Sequence, residues 1–226
     1  AAERAFGEWS TPPDVAPPSA PPPAIRPTAI RVIPRRGLAQ ATILLGQVGA
    51  PASSSVALGQ ELQAHFIGNV LHSRLRDELG LTYGVDARLR SGHACPLVTI
   101  QTAVDEARVG EALALVVDTL RGLRRAKFHS SGYLRRRRLA AMASYADDGD
   151  AVTRLARRYW HHQGFDERAE HPLAQAELRP ITKVADALAD RYAYQIVIVG
   201  DPEAIQRQLA DRGMGPVELL EIDPPS

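Results

Sequence analysis

Residues 73–85 read Ser-Arg-Leu-Arg-Asp-Glu-Leu-Gly-Leu-Thr-Tyr-Gly-Val, and the fold turns on how that stretch divides. Upstream of it apolar residues recur at helical spacing, at Leu58, Leu62, Phe66 and Val70 and again at Ile67, Leu71, Leu75 and Leu79. That stripe is wide enough to face a sheet, and it predicts a helix over 56–79. Gly80 supplies the left-handed stop that ends many helices, and a strand opens at Tyr83. An arginine one turn before such a stop and a tyrosine just past it can present a guanidinium fork and a phenol to the same space, both as hydrogen-bond donors. Arg76 and Tyr83 are therefore candidate binding residues. Considered without its surroundings, Arg76 would need no more explanation than the helix dipole, which favours a cation near the last carbonyls. Ser73 and Arg74 read as helix-packing and local salt-bridge groups.

Working outward, segments 29–34 and 41–49 read as two strands around an Arg-Arg-Gly turn, a hairpin signal. A second hairpin is expected from 83–90 and 97–104 across Ser91-Gly92. Asp105 is placed to cap a long amphipathic helix over 105–123. Three more helices are expected at about 131–147, 150–163 and 181–192, then a strand at 196–199, a helix at 202–210 and a last strand at 217–222. Strands in hairpins alternating with helices give an α+β class, a two-layer sandwich of a mostly antiparallel sheet packed against helices.

The 226 residues, 45% hydrophobic, suffice for one good-sized core, to which the first 28 contribute little. Eight prolines between Thr11 and Pro27 fix an extended spacer with neither helix nor ladder bonding. We expect residues 1–28 to be the end of a preceding domain followed by an inter-domain linker, and 29–226 to be the globular domain. A net charge of +1 gives no bulk electrostatic case for nucleic acid or membrane. The run 121–138 carries eight Lys/Arg and no acid, but Arg135 to Arg138 fan around a helix, and Phe128 and Tyr133 are too few to stack bases. A solvated helix face is the expectation, with no nucleic-acid partner. Cys95 stands alone, so neither an intrachain disulfide nor a cysteine-built zinc site is available. No stretch approaches eighteen uninterrupted apolar residues, so no membrane span is expected, and both periplasm and cytoplasm stay open. The N-terminus has neither an initiator methionine nor a signal-like apolar run, which suggests a piece of a longer protein.

In the order SRLR-x-x-x-GL-x-YG-V, the opening stretch resembles the Arg/Tyr motif in the C-terminal-type domain of the M16 family, the zinc proteases of the pitrilysin, insulinase and mitochondrial-processing-peptidase group. The seven-residue step from Arg76 to Tyr83 matches. Phe6-Gly7-Glu8-Trp9 resembles the close of a preceding M16 domain, GLAQATILLGQVG (37–49) the family's second strand with its usual glutamine at Gln40, and QIVIVGDP (195–202) its final strand and turn. One departure is Asn69-Val70-Leu71-His72, where many relatives have a glycine-rich turn.

The resemblance implies that Arg76 and Tyr83 reach across an inter-domain cavity to the substrate backbone, beside zinc held by another domain. It also implies what the chain lacks. Catalytic domains of this family carry His-x-x-Glu-His on one helix, two histidines for zinc and a glutamate that activates the metal-bound water. The histidines here, His65, His72, His93, His129, His161, His162 and His171, never take that spacing. The nearest approach, His161-His162 with Glu167, Glu170 and His171, places adjacent histidines about 100° apart on a helix that Gly164 would end. No metal and no cofactor is expected in this chain, and zinc is expected in the partner. The expected function is a noncatalytic, substrate-positioning domain, inactive alone. It would work with a His-x-x-Glu-His-bearing M16 domain, on the same polypeptide or a separate subunit, and with a peptide substrate. The alternative is an inactive M16-like scaffold domain.

Overall fold

The computed structural model describes residues 27–49, 55–90, 96–123 and 194–221. The segment 1–26, the basic run beyond Leu123 and the three helices expected between 131 and 192 lie outside the described residues.

The described residues form one six-stranded sheet with three α-helices. In chain order these are β1 (Ala29–Pro34), β2 (Gln40–Val48), α1 (Ser55–His72), a π-helical segment (Ser73–Glu78), β3 (Thr82–Arg90), β4 (Leu97–Asp105), a 3₁₀ turn (Glu106–Arg108), α2 (Val109–Leu123), β5 (Gln195–Gly200), α3 (Pro202–Ala210) and β6 (Val217–Leu219). Across the sheet the strands run β3-β4-β2-β5-β1-β6. The pairings β3 with β4, β4 with β2 and β2 with β5 are antiparallel, while β1 pairs in parallel with β5 and β6. The architecture is thus the expected α+β sandwich.

The hairpin expected of β1 and β2 does not form. β5 lies between them, and its Ile198 is level with Val32 on one side and Ile43 on the other. All three are buried, so each strand satisfies its alternation without touching the other. An Arg-Arg-Gly turn reports that the chain turns, and Gly37 has φ +78° there, but a turn does not fix which strand lies alongside. The β3/β4 hairpin does form, closing on Arg90 level with Leu97. β6 is shorter than the expected 217–222.

Alternation in the strands puts Ile30, Val32, Ala41, Ile43, Leu45, Ile100, Val104, Ile196 and Ile198 on one buried face. Against it lie Ile67, Leu71 and Leu75 of α1 and the π-helical segment, Val109, Ala112, Leu113, Val116 and Leu120 of α2, and Ile205 and Leu209 of α3, in one continuous core. Burying one such leucine or isoleucine contributes about 1.5–3 kcal/mol. Close approach needs small residues: a Cβ at Gly68 would sit 3.1 Å from the Ala87 Cβ, so α1 lies directly on β3. Asp105 caps as expected, its carboxylate accepting from the Ala107 N–H at 2.8 Å, and the 3₁₀ turn it opens leads into α2. Asp201 caps α3 the same way, accepting from the N–H groups of Glu203 and Ala204.

Candidate functional site

The site begins where α1 changes pitch. The helix runs unbroken through Asn69-Val70-Leu71-His72, the stretch that departs from the family pattern, and widens into π geometry from Ser73 to Glu78. π-helical turns are rare, and they concentrate at functional sites because they re-aim side chains that an α-helix would hold in line. Within this one, Leu75 is fully buried, and Arg74 donates to the hydroxyl of buried Thr119 on α2 at 2.8 Å. Arg74 thus finds a distant hydroxyl where the sequence suggests a local salt bridge. Arg76 is exposed. Its guanidinium lies 3.4 Å from Nε2 of His72, one turn back, and among the described residues it makes no ion pair.

Gly80 stops the helix with φ +59°. Its N–H donates to the Arg76 carbonyl at 3.0 Å, and the N–H of Leu81 reaches the Leu75 carbonyl at 2.7 Å. Leu81 is buried, so the chain is pinned on both sides of the stop before it enters β3.

The first residues of β3 carry a β-bulge. Thr82 is level with Val104 and Val85 with Thr102, leaving Tyr83 and Gly84 opposite Ala103 alone. Two buried hydroxyls hold this irregularity. Thr82 donates to the Ala103 carbonyl at 2.7 Å and accepts from the Gly84 N–H at 3.2 Å, while the Thr102 hydroxyl lies 2.8 Å from that of Thr82 and 2.9 Å from the Gly84 carbonyl. Tyr83, next to Gly84, is 84% exposed. The two candidate residues thus stand in solvent on either side of the Gly80 stop, and among the described residues no hydrogen bond joins them. Sequence reasoning missed Thr82, Thr102 and Thr119. A glycine beside an aromatic at the start of a strand is the signal that could have found the bulge.

Elsewhere, Arg108 and Glu111 pair through two 2.9 Å hydrogen bonds at the start of α2, and that pairing holds the Glu111 carboxyl below the usual carboxylate range. Among the described residues no group of three or more His, Cys, Asp or Glu is placed to hold a metal. His65 and His72 lie on α1, and the other histidines and Cys95 lie outside the described residues. Among the described residues no helix is long and apolar enough to cross a membrane.

The sequence pattern of the family described as peptidase M16 inactive domain matches residues 1–134, more than half of the chain. The chain belongs to the M16 peptidase family, as an inactive domain. No curated protein matches this chain in sequence. Its fold is similar to the crystal structure of the peptidase M16 inactive domain from Pseudomonas fluorescens, with TM-score 0.61 and 18% identity over 76% of this chain and 43% of that one. The periplasmic protease PqqL of Escherichia coli gives TM-score 0.61 at 12% identity, over 79% of this chain and 21% of that one. A putative zinc protease from Bordetella pertussis gives TM-score 0.54 at 18% identity, over 70% of this chain and 93% of that one. The M16 domain therefore spans less than half the length of the Pseudomonas fluorescens structure. At these identities the likeness is one of fold.

Proposed function

We propose that this M16 inactive domain is the substrate-positioning part of a zinc endopeptidase whose His-x-x-Glu-His domain lies on the same polypeptide or a separate subunit. The observation that carries the reading is the presentation of Tyr83, a phenol 84% exposed on a bulge held by buried threonines, seven residues after an exposed Arg76. An exposed aromatic held by a buried polar support serves recognition better than packing. In this role the Tyr83 hydroxyl donates to the oxyanion that develops as a peptide carbonyl is attacked, and Arg76 donates to the substrate backbone. Zinc and the water-activating glutamate belong to the partner domain.

The test is reconstitution. Adding the His-x-x-Glu-His-bearing partner should give peptide hydrolysis that neither part shows alone. Tyr83→Phe should lower turnover on the order of a hundredfold with the partner still bound, and Arg76→Ala should also weaken substrate binding. Full turnover in both variants would leave the scaffold reading.

A further inference from the structure

The hydroxyl pair beneath Tyr83 has a role that packing alone does not require. Thr82 and Thr102 are 8% and 4% exposed, and valine would fill the same space among the apolar neighbours Ile100 and Val104. Instead their hydroxyls take up both polar groups of Gly84, the N–H at 3.2 Å through Thr82 and the carbonyl at 2.9 Å through Thr102. The ladder register gives neither Tyr83 nor Gly84 a partner of its own, so a side-chain support is what keeps this bulge in one conformation. The Thr82 hydroxyl also ties the pair to the Ala103 carbonyl at 2.7 Å, and that carbonyl belongs to the residue the bulge spans.

We infer that Thr102, together with Thr82, is a positioning residue that fixes the bulge and thereby aims the Tyr83 phenol at the substrate. The inference rests on the function proposed above. Geometry is the reason it bears on rate: a donor must meet the developing oxyanion at hydrogen-bond distance, and a displacement of about 1 Å can cost up to a hundredfold. With the support buried in the sheet, the backbone that carries the phenol is fixed before substrate binds.

Two measurements test it. In the full chain, Thr102→Val and Thr82→Val should each speed hydrogen exchange over residues 82–86 by about fivefold to tenfold and leave β2 and β5 protected. In the complex with the His-x-x-Glu-His partner, assayed on a quenched-fluorescence peptide, Thr102→Val should lower kcat by about tenfold to a hundredfold with KM within about twofold. Thr102→Ser should restore both exchange and kcat, and Thr102→Val should add little in a Tyr83→Phe background. Thr82→Val reaches the same bulge through a different bond and decides the matter if Thr102→Val does not fold. Unchanged exchange in both valine variants, or a full kcat in Thr102→Val where Tyr83→Phe is crippled, overturns the positioning role alone. A silent Tyr83→Phe in an active complex overturns the proposed function and this inference with it.

Discussion

The guanidinium of Arg74 donates to the hydroxyl of Thr119 at 2.8 Å, across 45 residues of chain, and so joins the π-helical segment to α2. The bond lies one residue from Leu75 and two from Arg76, where the widened helix has left its regular ladder. Hydrogen bonds from charged donors stabilise by about 1.5–3 kcal/mol. Arg74→Met should therefore cost about 1–2 kcal/mol, since Arg74 is only half-buried, and Thr119→Val about 1 kcal/mol. Urea unfolding of both single variants and the double variant checks this. The double should cost less than the sum, and strict additivity would mean the two side chains are not coupled.

Two glycines should respond to alanine for different reasons. Gly80 has φ +59° with open space where a Cβ would go, so Gly80→Ala costs only backbone strain, about 1 kcal/mol, and Gly80→Asn less. At Gly110 a Cβ would meet the Gln208 backbone oxygen at 2.8 Å, so α2 must move off α3 at a cost of about 1–3 kcal/mol, with no relief from asparagine. Thermal melts of the four variants separate strain from overpacking. Equal behaviour of asparagine at both positions would contradict the assignment.

The Arg108–Glu111 pair predicts a pH dependence of defined sign. Arg108 lowers the folded-state Glu111 value relative to the unfolded one. The stabilisation is therefore present above the unfolded carboxylate range, near pH 4.3, and is lost as pH falls through the folded value. Both side chains are about two-fifths exposed, so the effect is modest and screened by salt. The stability gap between wild type and Glu111→Gln should be measurable at pH 7 in low salt and close by pH 3. A gap that widens on acidification would mean that folding raises the Glu111 carboxyl instead of lowering it.

Zinc content separates this domain from its proposed partner. With one cysteine and no His-x-x-Glu-His, the purified chain should hold less than stoichiometric zinc after dialysis, as measured by elemental analysis. A retained equivalent that disappears on substitution of His161 or His171 would place a metal site in this chain.

Local periodicity carried much of the fold. The amphipathic repeat from Ile67 to Leu75, the glycine stop at Gly80, the cap at Asp105 and the β3/β4 hairpin involve residues close in sequence, where neighbouring side chains and turn chemistry decide the outcome. So does the order of Arg76 and Tyr83 around that stop. Tertiary structure decided what depends on residues far apart. Alternation in β1 and β2 specified which face of each is buried, but the strand between them arrives more than 140 residues later, when Ile198 pairs with both Val32 and Ile43. The widening of the helix at Ser73 brings Arg74 to Thr119, and the Tyr83 bulge is held by Thr102, which belongs to β4. An apolar period cannot distinguish an α-turn from a π-turn, nor does it show which buried threonine has a hydroxyl to answer, because the energy of those choices comes from partners that only the folded chain brings within 3 Å.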